Sequence, residues 1–238
     1  MTSRPAMTVP IGSGWISRFR ALSWWRRIIL VPDPRIVAQV THPAGDGTLP
    51  PTQLEMVPLT GCDLADLLRL RQAEDGWLSP TNATSPPGYV TGAPSFGTYV
   101  KAAQRDLAEG RHVTFGIWAD GELAGEISVG GISRQALCSG MAGYWLRRSR
   151  VGQGIMPLAL ASVIEFMLTE GNLHRVEVNI MPRNQASIRV VEKLGLRAEG
   201  VRRSYLHVAG SWEDHVSYAV TAEELAGGGL VSRLLADH

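Results

Sequence analysis

The stretch Arg148-Ser149-Arg150-Val151-Gly152-Gln153-Gly154-Ile155-Met156-Pro157 decides how the chain is read. Two glycines one residue apart let the backbone turn tightly with no Cβ in the way, and the apolar residues after them begin a helix. A helix start presents unpaired N–H groups with a partial positive charge, so this turn suits a phosphate. Arg147, Arg148 and Arg150 add cationic charge. The same residues would also serve a plain strand-turn-helix connection, and the neighbouring segments have to decide. Pro157 falls in the first helical turn, where its missing N–H costs little.

After the turn, Ile155, Leu158, Ala159, Ser162, Val163, Phe166 and Met167 recur at roughly helical spacing, and Gly171 marks the stop. Arg175 to Met181 alternates, with Val176, Val178 and Ile180 on one face, and predicts a strand. Before the turn, His112 to Ala119, the Asp120-Gly121 hairpin signal, Glu122 to Arg134 and Met141 to Leu146 predict an antiparallel meander. Strand, turn, crossover helix and strand form a βαβ unit, whose strands are parallel. Asn184 then fits a helix N-cap, with Ile188, Val191 and Leu194 facing the core and Gly195 ending the helix. Leu196 to Ala209 and Trp212 to Val220 predict two closing strands. Upstream, Leu54 to Pro58 reads as a first strand, Asp63 as the cap of a helix with Leu64, Leu67, Leu68 and Leu70 inward, and Ser95 to Gly110 as a second helix. Ser79 to Pro94 is a loop rich in Pro, Gly, Ser and Thr, which could border a substrate entrance or merely connect helices.

The 238 residues, 45% hydrophobic and 19% charged, fit one domain with a real core. Twenty-three basic against 22 acidic residues leave a formal charge of +1, which gives no overall footprint for nucleic acid. Cys62 and Cys138 lie far apart without ligand-like spacing, so reduced thiols, no metal site and a cytoplasmic protein are expected. No apolar run is long enough to cross a bilayer, and Arg18, Arg20, Arg26 and Arg27 interrupt any secretion signal. Trp15 to Val31 mixes tryptophans with these arginines, as a membrane-surface or ribosome-facing arm would, or as a segment packed on the domain with its arginines reaching water. Prolines and glycines from residue 32 to 53 read as a linker or extended arm. The expected division is an extension over residues 1–53, a domain over 54–222 and a tail over 223–238, the tail reading as a short helix, a flexible Gly227-Gly228-Gly229 segment and a marginal final helix over Leu230 to Leu235.

Several ordered runs carry a more specific signal: Gly143-Tyr144-Trp145-Leu146, the glycine turn, His174-Arg175-Val176-Glu177, Asn184-Gln185-Ala186-Ser187, Lys193-Leu194-Gly195-Leu196, Glu199-Gly200-Val201 and Trp212-Glu213-Asp214-His215. Over about residues 54 to 222 the chain resembles the GCN5-related N-acetyltransferases (GNAT), and within them the RimJ/RimL branch of ribosomal-protein N-terminal acetyltransferases. A Rossmann reading fits worse because Pro157 holds the third-glycine position, and a Walker loop lacks its Gly-Lys-Ser/Thr ending.

The resemblance implies a single α/β (α+β) domain with a mixed antiparallel and parallel sheet, in which the strands flanking the turn splay to admit acetyl-CoA. It implies that Val151, Gly152, Gln153, Gly154, Ile155 and Met156 bind the cofactor at its pyrophosphate, that Leu146 and Arg147 lie along the pantetheine arm, and that Asn184 hydrogen-bonds that arm. The implied reaction is direct attack of a neutral amine on the thioester, without a metal. An α-amine with pKa near 8 is about a fifth neutral at about pH 7.4, against about 0.1% for a lysine. A protein N-terminus, such as that of a ribosomal protein, is therefore the expected acceptor. A small-molecule amine or a lysine, or a non-catalytic role in acyl-CoA binding or ribosome association, stands as the alternative, and a homo-oligomer is compatible with all of these.

Val191 stands where many members of the family have a tyrosine that protonates the leaving thiolate. The RimL-like pattern implies Ser187 for that role, against the plainer reading of a hydroxyl bonding backbone in a first helical turn. Glu126 is the carboxylate expected to face the amine, on a strand face shared with Glu122 and Ala124, or else a solvated strand residue. Glu177 is the weaker alternative. Tyr144 and Tyr205 are candidates for lining the acceptor slot, or are simply half-buried strand tyrosines. Asp214 and His215, adjacent on a strand, point to opposite faces and read as structural.

Overall fold

The computed structural model describes residues 36–40, 52–59, 62–88, 96–225 and 228–236. The meander expected before the glycine turn forms the middle of one eight-stranded sheet. In chain order the elements are β1 (Ile36–Val40), β2 (Thr52–Pro58), α1 (Cys62–Ala73), α2 (Asp75–Leu78), α3 (Phe96–Ala108), β3 (Val113–Ala119), β4 (Glu122–Ser133) and β5 (Ser139–Leu146). They continue with α4 (Ile155–Thr169), β6 (Arg175–Ile180), α5 (Gln185–Lys193), β7 (Arg197–Val208), β8 (Ser211–Thr221) and α6 (Leu230–Ala236). The sheet runs β1-β2-β3-β4-β5-β6-β8-β7, antiparallel throughout except for the β5–β6 pair.

Alternation along the strands builds two apolar layers. Phe115, Ile117, Ile127, Val129, Val176 and Val178 meet helix α4, whose Ile155, Leu160, Val163, Ile164 and Met167 are almost completely buried. Each such aliphatic side chain contributes about 1.5–3 kcal/mol through burial. On the opposite face Leu59, Leu64, Leu67, Leu78 and Trp145 form a second cluster under α1 and α2.

The parallel pair matters most for the site. β5 follows β4 as far as the Gly125–Leu146 pair, but follows β6 only from Ser139–Arg175 to Ala142–Val178. Past that point β6 stays with β8 through Asn179–Ser217 and Ile180–Val216. Gly143 to Leu146 therefore diverge from Asn179 and Ile180, and the sheet opens between them.

Four local expectations change. Residues 36–40, placed in a linker, pair with β2 as an edge strand, because Ile36-Val37-Ala38-Gln39-Val40 carries β-branched residues between the breakers. The tail is packed: Leu230, Val231 and Leu234 of α6 join the main core, and the Val231 N–H donates to Glu165 Oε1 at 2.7 Å. Asp63 lies inside α1, which begins at Cys62, and is not its cap. In β4, Leu123 pairs with Trp118 and Gly125 with Ile117, so Ala124 is the extra residue of a bulge. The bulge shifts the alternation, putting Ala124 in the main core beside Ile127, while Glu126 shares its face with Ser128 and not with Ala124. The Trp15 to Val31 segment lies outside the described residues. Among these residues no helix is long and apolar enough to cross a membrane.

Candidate active site

The glycine turn leaves β5 through a single 3₁₀ turn at Arg148–Arg150. Gly152 at φ +83° and Gly154 at φ +75° take left-handed conformations, which cost other residues about 1–2 kcal/mol. Gly154 is the N-cap of α4. The Val151 N–H already donates to the Arg148 carbonyl at 3.3 Å. The N–H groups of Gly152, Gln153, Gly154, Ile155 and Met156 have no partner among the described residues, which is the cradle an anion requires. The Gln153 side chain closes the turn by donating to the Ser149 carbonyl at 3.0 Å.

The turn's arginines are spoken for in part. Arg150 lies 3.5 Å from Asp120 and from Glu122, and Arg147 lies 3.8 Å from Glu122, so the β3–β4 hairpin balances their charge. Arg148 rests over the Trp77 ring at 5.8 Å, and its N–H donates to Glu74 Oε2 at 3.0 Å. The Trp77 indole N–H donates to the Leu146 carbonyl at 3.2 Å, so that carbonyl, expected to face the pantetheine arm, already has one donor.

Where the sheet opens lies a cavity of about 290 Å³. Its floor is Ala142 to Trp145 of β5 and Val178 to Ile180 of β6; Asn184 and Ser187 close one end, and Leu206, Val208 and His215 form a wall. Thr81, Asn82 and Ala83 make the roof, so the described part of the loop predicted to border an entrance does border the cavity. That roof is pinned: Arg71 donates to Asn82 Oδ1 at 2.9 Å, Arg183 to the Pro80 carbonyl at 3.4 Å, and the Thr84 N–H to the His207 carbonyl at 2.8 Å.

Asn184 caps α5 as expected, its Oδ1 accepting the Ser187 N–H at 3.2 Å. Its amide nitrogen stays available to a ligand. Ser187 sits in the first helical turn; its carbonyl accepts the Tyr144 phenol at 3.1 Å, while its hydroxyl bonds no described residue. Burial pushes the Tyr144 phenol well above its ordinary value. Tyr144 therefore lines the cavity as a neutral group holding α5 against β5.

Glu126 lines the same cavity, with its side chain 14% exposed. Its Oε2 accepts the Trp145 indole N–H at 2.9 Å and lies 3.6 Å from Arg71, whose guanidinium also faces the Trp145 ring at 5.7 Å. Glu177 is placed elsewhere, bonded by Arg175 at 2.9 Å and Arg202 at 2.6 Å. Tyr205 does not line the cavity; its hydroxyl contacts Arg202 at 3.0 Å and Met141 Sδ at 3.5 Å. Asp214 and His215 do face apart: Asp214 accepts the Ser204 N–H at 2.8 Å on the surface, while His215, 4% exposed, lines the cavity. The structure thus gathers Glu126, Tyr144, Asn184 and Ser187, and adds Arg71, Asn82 and His215. Only the identity of the roof loop pointed to Asn82, and nothing local in the sequence pointed to Arg71.

A parallel β5–β6 pair that splays beside a polar cavity, with β5 followed by a glycine turn of unpaired N–H groups, is the architecture of an acyl-CoA-dependent transferase domain. The chain belongs to the GNAT acetyltransferase family: the model of the acetyltransferase (GNAT) domain matches residues 53–197. Its curated relatives include the probable N-acetyltransferase YjcK of Bacillus subtilis (strain 168), 39% identical over 119 residues, which are 49% of this chain and 66% of that protein. The [ribosomal protein uS5]-alanine N-acetyltransferase of Escherichia coli (strain K12) is 31% identical over 107 residues, 45% of this chain and 55% of the relative. The match thus spans between about half and two thirds of these relatives' own lengths. Among solved structures, Mycobacterium smegmatis RimJ in complex with CoA-disulfide superposes with a TM-score of 0.72 at 32% identity, over 84% of this chain and 93% of that one. The expected fold and its RimJ/RimL-like kinship are thereby established.

Proposed function

We propose that this chain transfers an acetyl group from acetyl-CoA to the α-amine of a protein N-terminus, that of a ribosomal protein being the leading candidate, in the cytoplasm. One observation carries the reading: β5 and β6 part after the Ala142–Val178 pair, β5 running on into the turn whose Gly152 to Met156 N–H groups have no partner among the described residues, and β6 into the helix start that carries Asn184 and Ser187. The residues fit the cosubstrate. The glycine turn would hold the pyrophosphate, β5 and the Asn184 amide nitrogen the pantetheine arm, and the thioester would come to rest beside Ser187. The ribosomal acceptor is favoured by the relatives, among them the [ribosomal protein uS5]-alanine N-acetyltransferase.

Glu126 serves as the anion of the slot. With Oε2 shared between Trp145 and Arg71, the carboxylate is fixed in orientation and offers its other oxygen to an incoming ammonium group. The neutral amine attacks the thioester carbonyl, the carbon–sulfur bond breaks, and the Ser187 hydroxyl gives its proton to the departing thiolate while taking one from the new amide nitrogen. No lasting charge is placed on Ser187, which suits a side chain in a helix first turn.

The test is Ser187→Ala, assayed by CoA release with short peptides beginning in alanine or serine. The expected result is a kcat lower by about 10²-fold with an unchanged KM for acetyl-CoA, since the hydroxyl acts on the leaving group. Wild-type kcat in the variant would remove Ser187 from the mechanism.

A further inference from the structure

The buried imidazole on the cavity wall has no task in the account above. His215 of β8 is 4% exposed and lines the cavity with Glu126, Tyr144 and Ser187. Its Nδ1 lies 3.0 Å from the Glu213 carbonyl. A carbonyl only accepts, so Nδ1 carries the proton and Nε2 keeps its lone pair. Nε2 has no hydrogen-bond partner among the described residues and retains some exposure. The Tyr205 ring, edge-on at 5.8 Å, holds the imidazole from the side of β7. Backbone and aromatic contact together fix both the tautomer and the plane of the ring, as a catalytic base requires.

From this geometry we infer that His215 is the proton acceptor for the substrate ammonium, a role that rests on the acetyl-transfer reading. Glu126 is less suited, because its Oε2 is already shared by an indole N–H and a guanidinium. In the step, the ammonium N–H bond breaks and its proton passes to His215 Nε2, leaving a neutral amine and an imidazolium. The amine then attacks; its second proton leaves with the thiolate through Ser187, and the imidazolium returns its proton to solvent. The sum is ammonium plus thioester giving amide, thiol and one proton.

The charged and titratable groups around the ring are the Glu213 carboxylate of β8, itself bonded by Arg183 at 2.9 Å, Tyr205 of β7 with Arg202 over its ring, and Glu126, Arg71 and Tyr144 across the cavity. None of them bonds Nε2, so the ring is free to exchange its proton with the substrate.

The test compares His215→Gln with wild type in kcat/KM against pH, using acetyl-CoA and an alanine-initiated hexapeptide. The variant should lose about 10²-fold near pH 7, and the deficit should shrink to under about 10-fold near pH 9, where an α-amine of pKa about 8 is neutral unaided. Its dissociation constant for CoA should match wild type, which also establishes that it folds. Nitrogen-15 spectra of the unsubstituted protein supply an independent readout: the neutral His215 ring should be in the Nδ1–H tautomer. A wild-type profile in the variant, a deficit that does not change with pH, or an Nε2–H tautomer would each overturn the assignment while leaving acetyl transfer standing. If wild type binds CoA yet acetylates no amine at any pH, the underlying reading falls and takes the assignment with it.

Discussion

Tyr144 shows how a single side chain links packing to chemistry. Its phenol donates to the Ser187 carbonyl, and burial raises its pKa above the ordinary value of about 10. A folded-state pKa above the unfolded one means the folded protein holds the proton more tightly. The contribution to stability is therefore complete below about pH 10 and is lost as pH rises through that value toward the folded pKa. Following tyrosinate absorbance during an alkaline titration, Tyr144→Phe should lack one phenol that wild type ionises only as it unfolds, and unfolding should become less sensitive to high pH. An unchanged late-titrating absorbance would contradict the placement. Asn184 was legible in sequence as an N-cap from the pattern of a helix start, whereas Ser187 was singled out only by the family resemblance. His215 was not, because pairing it with Asp214 hid that one face of β8 looks into a cavity. Glu126 was found, but on the wrong grounds: the bulge at Ala124 moved it to a different set of neighbours.

At the scale of elements, the glycine turn and the helix behind it form one device. The left-handed residues point successive N–H groups outward, and α4 adds its dipole to them. Gly154→Ala should lower stability by about 1–2 kcal/mol through the φ +75° backbone and weaken CoA binding several-fold, read together by thermal unfolding and calorimetric titration. Loss of stability with CoA affinity unchanged would show that the turn is only a connection. Gly125 sits where β5 runs into that turn: a Cβ there would meet the Trp145 carbonyl and Leu146 beside the bulge, so close approach of β4 and β5 depends on its absence. The strand, turn and helix order was legible because periodicity changes abruptly at the glycines. The bulge was not, since an extra residue alters register without altering composition.

For the molecule as a whole, the opening in the sheet follows from a conflict of partners. β5 is claimed by β4 along its length and β6 by β8, and the two claims pull the parallel pair apart after Ala142. Such a conflict depends on pairings distant in sequence, and only the family resemblance anticipated it. The edge strand at residues 36–40 escaped a reading by segments for a related reason, being too short to declare itself without the strand it pairs with, whereas the final helix was legible from Leu230 to Leu235 and only its packing on the core was not. Acetyl transfer to an N-terminal amine is tested directly by tandem mass spectrometry of a peptide carrying both a free α-amine and a lysine after incubation with acetyl-CoA and this protein. One acetyl group should be added, on the α-amine and with the lysine untouched. Acetylation confined to the lysine, or no product from protein that demonstrably binds CoA, would contradict it.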